Sequence, residues 1–197
     1  MEFNFKIINL VVFILLGISW VLLIVSYSGY WYQRNDGTVY EYYKHDIMLH
    51  TSPGYNDYYT NWGSDVYKHS LAIVKASLAM AILAWLVVSF TLVMCILSFL
   101  GLLSKIPFVP FPTVTKFLPV LAFLFSLLAT LIFTGVGLAF KKDCQNLSSF
   151  IDCDVLGHFI HQEGYNYQGP AFAWIVSVIT NFFLLVASGL SIALAAF

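Results

Sequence analysis

Charge is what this chain has least of. Only 10% of its 197 residues are Asp, Glu, Lys or Arg, against roughly 25% in a soluble domain. With nine scattered Lys and Arg residues and a net charge of −1, it presents no basic surface, which excludes nucleic acid as a partner. Cysteine is also scarce, at three residues, and no CxxC pair occurs, so a thiol oxidoreductase is not encoded. The chain has no HExxH helix, no GxSxG elbow and no Gly-rich phosphate loop. The expectation is a non-enzymatic protein with no catalytic residues, no cofactor and no resident metal.

What the chain does have is apolar length. It is 60% hydrophobic, with a mean hydropathy of +0.82. Four stretches, residues 7–26, 71–103, 117–140 and 170–196, are long enough to cross a hydrocarbon core of ~30 Å. The first lacks an Ala-x-Ala cleavage pattern and reads as a retained helix, not a signal peptide. The second, at 1.5 Å per residue, would reach roughly 50 Å. Pro119 and Pro170 read as first-turn prolines of the third and fourth helices. The fold class expected is an all-α membrane protein: a single four-transmembrane-helix bundle over residues 1–197, with the lipid bilayer as its solvent.

Apart from Lys75 near a boundary, no charge falls inside these stretches, which argues against a pump or coupled transporter. Ser89, Thr91, Thr180, Ser188 and Ser191 read as interhelical hydrogen-bonding groups, and Gly17, Gly135, Gly137 and Gly189 as points of close helix approach. The chain stops at Phe197 directly after the fourth stretch, which reads as the absence of a cytosolic tail.

The connections are unequal: residues 27–70, 104–116 and 141–169. The short middle one, Ile106-Pro107-Phe108-Val109-Pro110-Phe111-Pro112, reads as a stiff apolar connector. The first and third share one side and carry all five histidines. At residues 29–43 a β-hairpin is expected, because Asn35-Asp36-Gly37 suits a turn and β-branched and aromatic residues flank it. Ten of twelve tyrosines lie between Tyr27 and Tyr67. Tyr40, Tyr42, Tyr55, Tyr58 and Tyr59, with Trp31 and Trp62, are the candidate interaction or structural residues, since Tyr and Trp offer rigid contact area.

Lys and Arg are more numerous beside these two loops than on the opposite side, and the positive-inside rule would place the loops in the cytosol. Two features point outward. Cys144 and Cys153 are spaced for a disulfide, which persists in an oxidising compartment and would contribute ~2–3 kcal/mol. Asn146-Leu147-Ser148 is a glycosylation acceptor between them. The redox argument decides: an integral, plasma-membrane-type protein with cytosolic termini and residues 27–70 and 141–169 extracellular or lumenal.

One metal combination is available, His45, Asp46 and His50 with His158 and His161, whose imidazole and carboxylate groups suit Zn²⁺. A bilayer gathers polar residues into loops whatever their role, so sharing a side does not make them a site.

Ser28-Gly29-Tyr30-Trp31-Tyr32 at the mouth of the first helix, Lys75-Ala76-Ser77-Leu78-Ala79 entering the second and Tyr165-Asn166-Tyr167-Gln168-Gly169-Pro170-Ala171-Phe172 entering the fourth resemble the claudin, peripheral-myelin-protein and stargazin superfamily. Tetraspanins, with a larger second loop and a Cys-Cys-Gly motif, do not fit. The resemblance implies a small extracellular β-sheet built from loop 1, with Trp31 at the family's loop tryptophan. The family's Gly-Leu-Trp followed by two cysteines is missing, and loop 1 has no cysteine. Three functions are expected from residues and resemblance together. The first is lateral or trans self-association in adhesion, a barrier or an ordered array. The others are an auxiliary subunit of a channel or receptor and a membrane enzyme using the loop histidines. The partner is accordingly a second copy or another membrane protein.

Overall fold

The structure is a computed structural model that describes residues 2–62, 66–102, 111–147 and 153–193. Its helices are α1 (Glu2–Ser28), α2 (Lys68–Phe99), α3 (Phe111–Thr134), α4 (Val136–Leu147) and α5 (Phe172–Ala193). Its strands are β1 (Tyr32–Asp36), β2 (Tyr40–Tyr43), β3 (Ile47–Thr51), β4 (Tyr58–Asn61), β5 (His161–Glu163) and β6 (Asn166–Pro170). Among the described residues α1, α2, the α3–α4 run and α5 are long and apolar enough to cross a membrane. Their outward residues, such as Leu10, Ile14 and Val21 on α1 or Leu86, Phe90 and Val93 on α2, are exposed. An apolar surface of that extent suggests a chain embedded in a bilayer.

Several boundaries differ from the sequence expectation. α3 begins at Phe111 and not at residue 117, so Pro119 lies inside the helix, where its missing N–H withholds a bond from the Thr115 carbonyl. Pro170 ends β6 and does not open the last helix. Residues 103–110, which hold most of the expected proline-rich connector, lie outside the described residues. So do the expected helix ends at 103 and 194–196.

The sheet is the largest correction. It has six antiparallel strands in the order β4-β3-β2-β1-β6-β5, four from loop 1 and two from loop 3. β1 is therefore a central strand, paired with β2 (Tyr32 opposite Tyr43) on one side and with β6 (Tyr32 opposite Pro170) on the other. Sequence reasoning missed the β5–β6 hairpin, although Gly164-Tyr165 between two short strands was a legible turn. Gly164 has φ +59°.

The chain divides into two compact units, one of Met1–Val25, Met80–Leu127 and Val176–Phe197 and one of Ser26–Ala79 and Leu128–Ile175. Among its described residues the first has helices and no strand. Val12, Leu16, Leu23, Ala84, Val88, Ala122, Leu184 and Ala187 form its core with the free thiol of Cys95. Its hydroxyls mostly bond their own helix. Ser19, Thr91, Thr180 and Ser188 each donate to the carbonyl four residues back, at 2.6–2.8 Å. This local bond satisfies a hydroxyl without a neighbour, which corrects the interhelical reading for Thr91, Thr180 and Ser188. Ser89 and Ser191 do bond between helices: Trp20 Nε1 donates to Ser89 Oγ at 2.8 Å, and Ser191 Oγ to the Lys116 carbonyl at 3.1 Å. Gly17 and Gly189 have open space where a Cβ would stand, so neither marks a close approach.

In the second unit Gly137 is such a point. A Cβ there would stand 2.8 Å from the backbone of His158. Nearby, Asp143 organises the start of α2 from another segment. Its Oδ1 accepts from the His69 backbone N–H (2.9 Å) and lies 2.8 Å from His69 Nδ1. Its Oδ2 accepts from the Ser70 N–H (2.8 Å) and from Ser70 Oγ (2.6 Å). The first N–H groups of a helix have no intrahelical acceptor; a buried carboxylate supplies one here, and α2 starts at Lys68, ahead of the apolar stretch. Asp143→Asn removes the charge from these bonds and is expected to lower stability by about 2–3 kcal/mol. Denaturation of the detergent-solubilised protein measures this, and an unchanged midpoint would remove Asp143 from that role.

Candidate interaction surface

Trp31 lies where α1 gives way to β1. Its indole N–H donates to the Ser26 carbonyl at 2.6 Å, and its ring meets Phe133 edge-on with centroids 4.9 Å apart. Its backbone N–H donates to Tyr43 O (3.0 Å), and its own carbonyl accepts from Ala171 N–H (2.9 Å). One residue thus joins β2 and the entry to α5. Trp62 is buried likewise, its indole N–H donating to Lys44 O at 2.8 Å and its ring stacked on Phe140. Both tryptophans are core residues of this unit.

The turn between β1 and β2 is made by Asp36, whose Oδ1 accepts from the backbone N–H groups of Val39 (2.8 Å) and Thr38 (3.0 Å) and from Thr38 Oγ1 (2.8 Å). The Val39 N–H and then the Thr38 groups hold its carboxyl below the usual carboxylate range. Gly37 alone in this turn takes positive φ, at +87°.

Alternation along the strands sorts the sheet into two chemically different faces. On one, the register aligns His161, Gln168, Arg34, Glu41, His50 and Tyr58 in a transverse row, with Tyr32, Tyr43 and Met48 beside it. This face is covered by Phe140, which packs on both Tyr32 and Tyr43. On the other, one row runs Gly169, Gln33, Tyr42, Leu49, Tyr59, and the next runs Gln162, Tyr167, Asn35, Tyr40, Thr51. Ile47 and Asn61 complete it. Among the described strand residues, none on this second face is charged. The five candidate tyrosines divide accordingly: Tyr40, Tyr42 and Tyr59 stand on it, Tyr58 stands on the opposite face at the β4 edge, and Tyr55 lies in the β3–β4 turn. Tyr59 is 63% exposed and Tyr55 82%, while Tyr42 is half-buried against Tyr30.

The histidines do not converge. His45 lies 3.5 Å from Asp46, and His50 lies 3.4 Å from Glu41 and 2.8 Å from Thr60 Oγ1. His158 stacks on His161. Among the described residues no three His, Cys, Asp or Glu side chains come together to hold a metal. Cys144 and Cys153 are joined as a disulfide. Asn146 is exposed near the end of α4, and Ser148 of its acceptor sequence lies outside the described residues. Sequence reasoning missed Arg34, Gln168 and Asp143, which carry no motif and acquire roles only through pairing. No protein-family model and no curated protein matches this chain.

Trp31→Ala is expected to cost about 3–5 kcal/mol, the range for large aromatic truncations, and to loosen the β1 junction. Hydrogen exchange at residues 32–43 reads this out, and unchanged protection would displace Trp31 from the centre of the fold. Burial raises the hydroxyls of Tyr32 and Tyr43 above the ordinary value of 10.0, and the adjoining Glu41 carboxylate adds to the effect at Tyr43. Folded, they keep protons that an unfolded tyrosine releases, so their contribution is fully present below pH ~10 and is lost as pH rises further. The unfolding midpoint should fall above pH 10, less steeply in a Tyr32→Phe, Tyr43→Phe double variant. Identical slopes would contradict this.

Proposed function

We propose that this chain is a non-enzymatic integral membrane interaction protein, similar in plan to the claudin group, that associates with copies of itself through its sheet. The observation that carries the reading is the charge-free face of Tyr40, Tyr42, Ile47, Leu49, Tyr59 and Tyr167. Depletion of charge and enrichment of tyrosine mark interface cores. The uncharged edge strand β4, Tyr58-Tyr59-Thr60-Asn61, supports it, because an unpaired edge without charge invites pairing with another chain. The apolar helices supply the membrane anchorage. The disulfide favours an oxidising compartment, hence a sheet outside the cytosol, cytosolic termini and the plasma membrane as the working location.

Self-association is tested by placing charge on this face. Tyr59→Glu sits at an exposed position and should leave the fold intact. The wild type is expected to crosslink as an oligomer in nanodiscs and to concentrate at cell contacts, and Tyr59→Glu to do neither. A wild-type protein that is monomeric in nanodiscs and evenly spread on cells would defeat the proposal. Recovery of one stoichiometric unrelated membrane protein would point instead to an auxiliary subunit.

A further inference from the structure

The covered face of the sheet holds two adjoining cavities, of about 250 and 170 Å³. Arg34, Gln168 and Leu156 line both, so the Arg34 side chain stands between them. The larger has an aromatic floor of Tyr32, Tyr43 and Phe140, all more than nine-tenths buried.

The charges around these cavities are unevenly satisfied. Glu41, directly across from Arg34 in the register, accepts a hydrogen bond from Tyr43 Oη at 2.6 Å through one oxygen and lies 3.4 Å from His50 Nδ1 through the other. Asp36 is held by its own turn, and Asp154 by Lys141 Nζ at 2.6 Å. Arg34 makes no ion pair among the described residues. A second donor group there lacks a hydrogen bond. His161 stands on the same face two strands away, lines the smaller cavity and stacks on His158; its Nε2 is buried with no hydrogen-bond partner, 3.7 Å from Glu163 Oε2. Strands two apart are separated by roughly 10 Å, and Gln168, between the two in the row, is turned to the carbonyls of Val155 and His158 at 2.6 and 2.9 Å.

We propose that this is a binding site for a small carboxylate carried on an apolar body. The guanidinium fork of Arg34 pairs with the two carboxylate oxygens, and Nε2 of His161 donates as the second contact. The apolar remainder lies between Leu156 and the Tyr32, Tyr43 and Phe140 rings. The cavities are small by the standard of drug-sized sites, so the ligand is correspondingly small. Such an acid has two sources, the lipid phase as a short fatty acid or the aqueous phase as an aromatic acid. The site lies on the face opposite the proposed association surface and does not depend on self-association.

The test uses the full chain in nanodiscs of phosphatidylcholine, titrated calorimetrically with phenylacetate and with octanoate. Saturable binding of one molecule per chain is expected, with acetate, lacking the apolar body, and benzyl alcohol, lacking the oxyanion, each at least about tenfold weaker. Tighter octanoate assigns the lipid source and tighter phenylacetate the aqueous one. Arg34→Gln, at an exposed position, should weaken binding about tenfold or more. Leu156→Trp should block it by filling the cavity with the guanidinium untouched, and the unfolding midpoint of each variant checks its fold. Failure of both carboxylates to saturate, or an Arg34→Gln variant that binds them like the wild type, would overturn the proposal.

Discussion

The two faces of the sheet exist because the chain leaves α1 through one fixed residue. Trp31 is bonded through its indole to Ser26, through its N–H to Tyr43 and through its carbonyl to Ala171. Those three bonds set the phase in which β1 begins. In a pleated strand a slip of one residue turns every side chain to the opposite face. Anchoring Trp31 therefore sends Tyr32 and Arg34 to the covered face and Gln33 and Asn35 to the other. The strands on either side inherit the same sorting through the register.

That sorting resolves a physical conflict in a chain with so few charges. A sheet placed against apolar helices must bury one face, yet Arg34, Glu41, His50 and His161 all project from it. Glu41 is satisfied by Tyr43 and His50, and the buried Gln168 by the carbonyls of Val155 and His158 at 2.6 and 2.9 Å. Burying an unpaired charge is costly, and Arg34 accordingly keeps its guanidinium at the rim of a cavity. The described strand residues of the opposite face carry no charge and need no such arrangement.

Order in the loops comes from long-range contacts. The disulfide between Cys144 and Cys153 closes a short segment of loop 3, while Asp143 beside it holds the first turn of α2. Lacking a disulfide of its own, loop 1 is held by aromatic packing of Tyr32, Tyr43, Trp62 and Phe140, and loop 3 adds its second hairpin to β1. The two loops thus form one sheet, and a change in either reaches both.

Much was legible in the sequence alone. Apolar runs of membrane length give four helices whatever surrounds them, since a helix satisfies its own backbone. The Asn35-Asp36-Gly37 turn gives the first hairpin because its preferences are local. The cysteine pair was readable for the same reason. The tertiary structure alone decided that β6 pairs with β1, that Asp143 begins α2 and that Arg34 and His161 share a face. Each of these joins residues far apart in the chain. Hydrophobic periodicity and turn chemistry act over a few residues, whereas strand register and capping between segments are settled by which distant groups complete one another's hydrogen bonds.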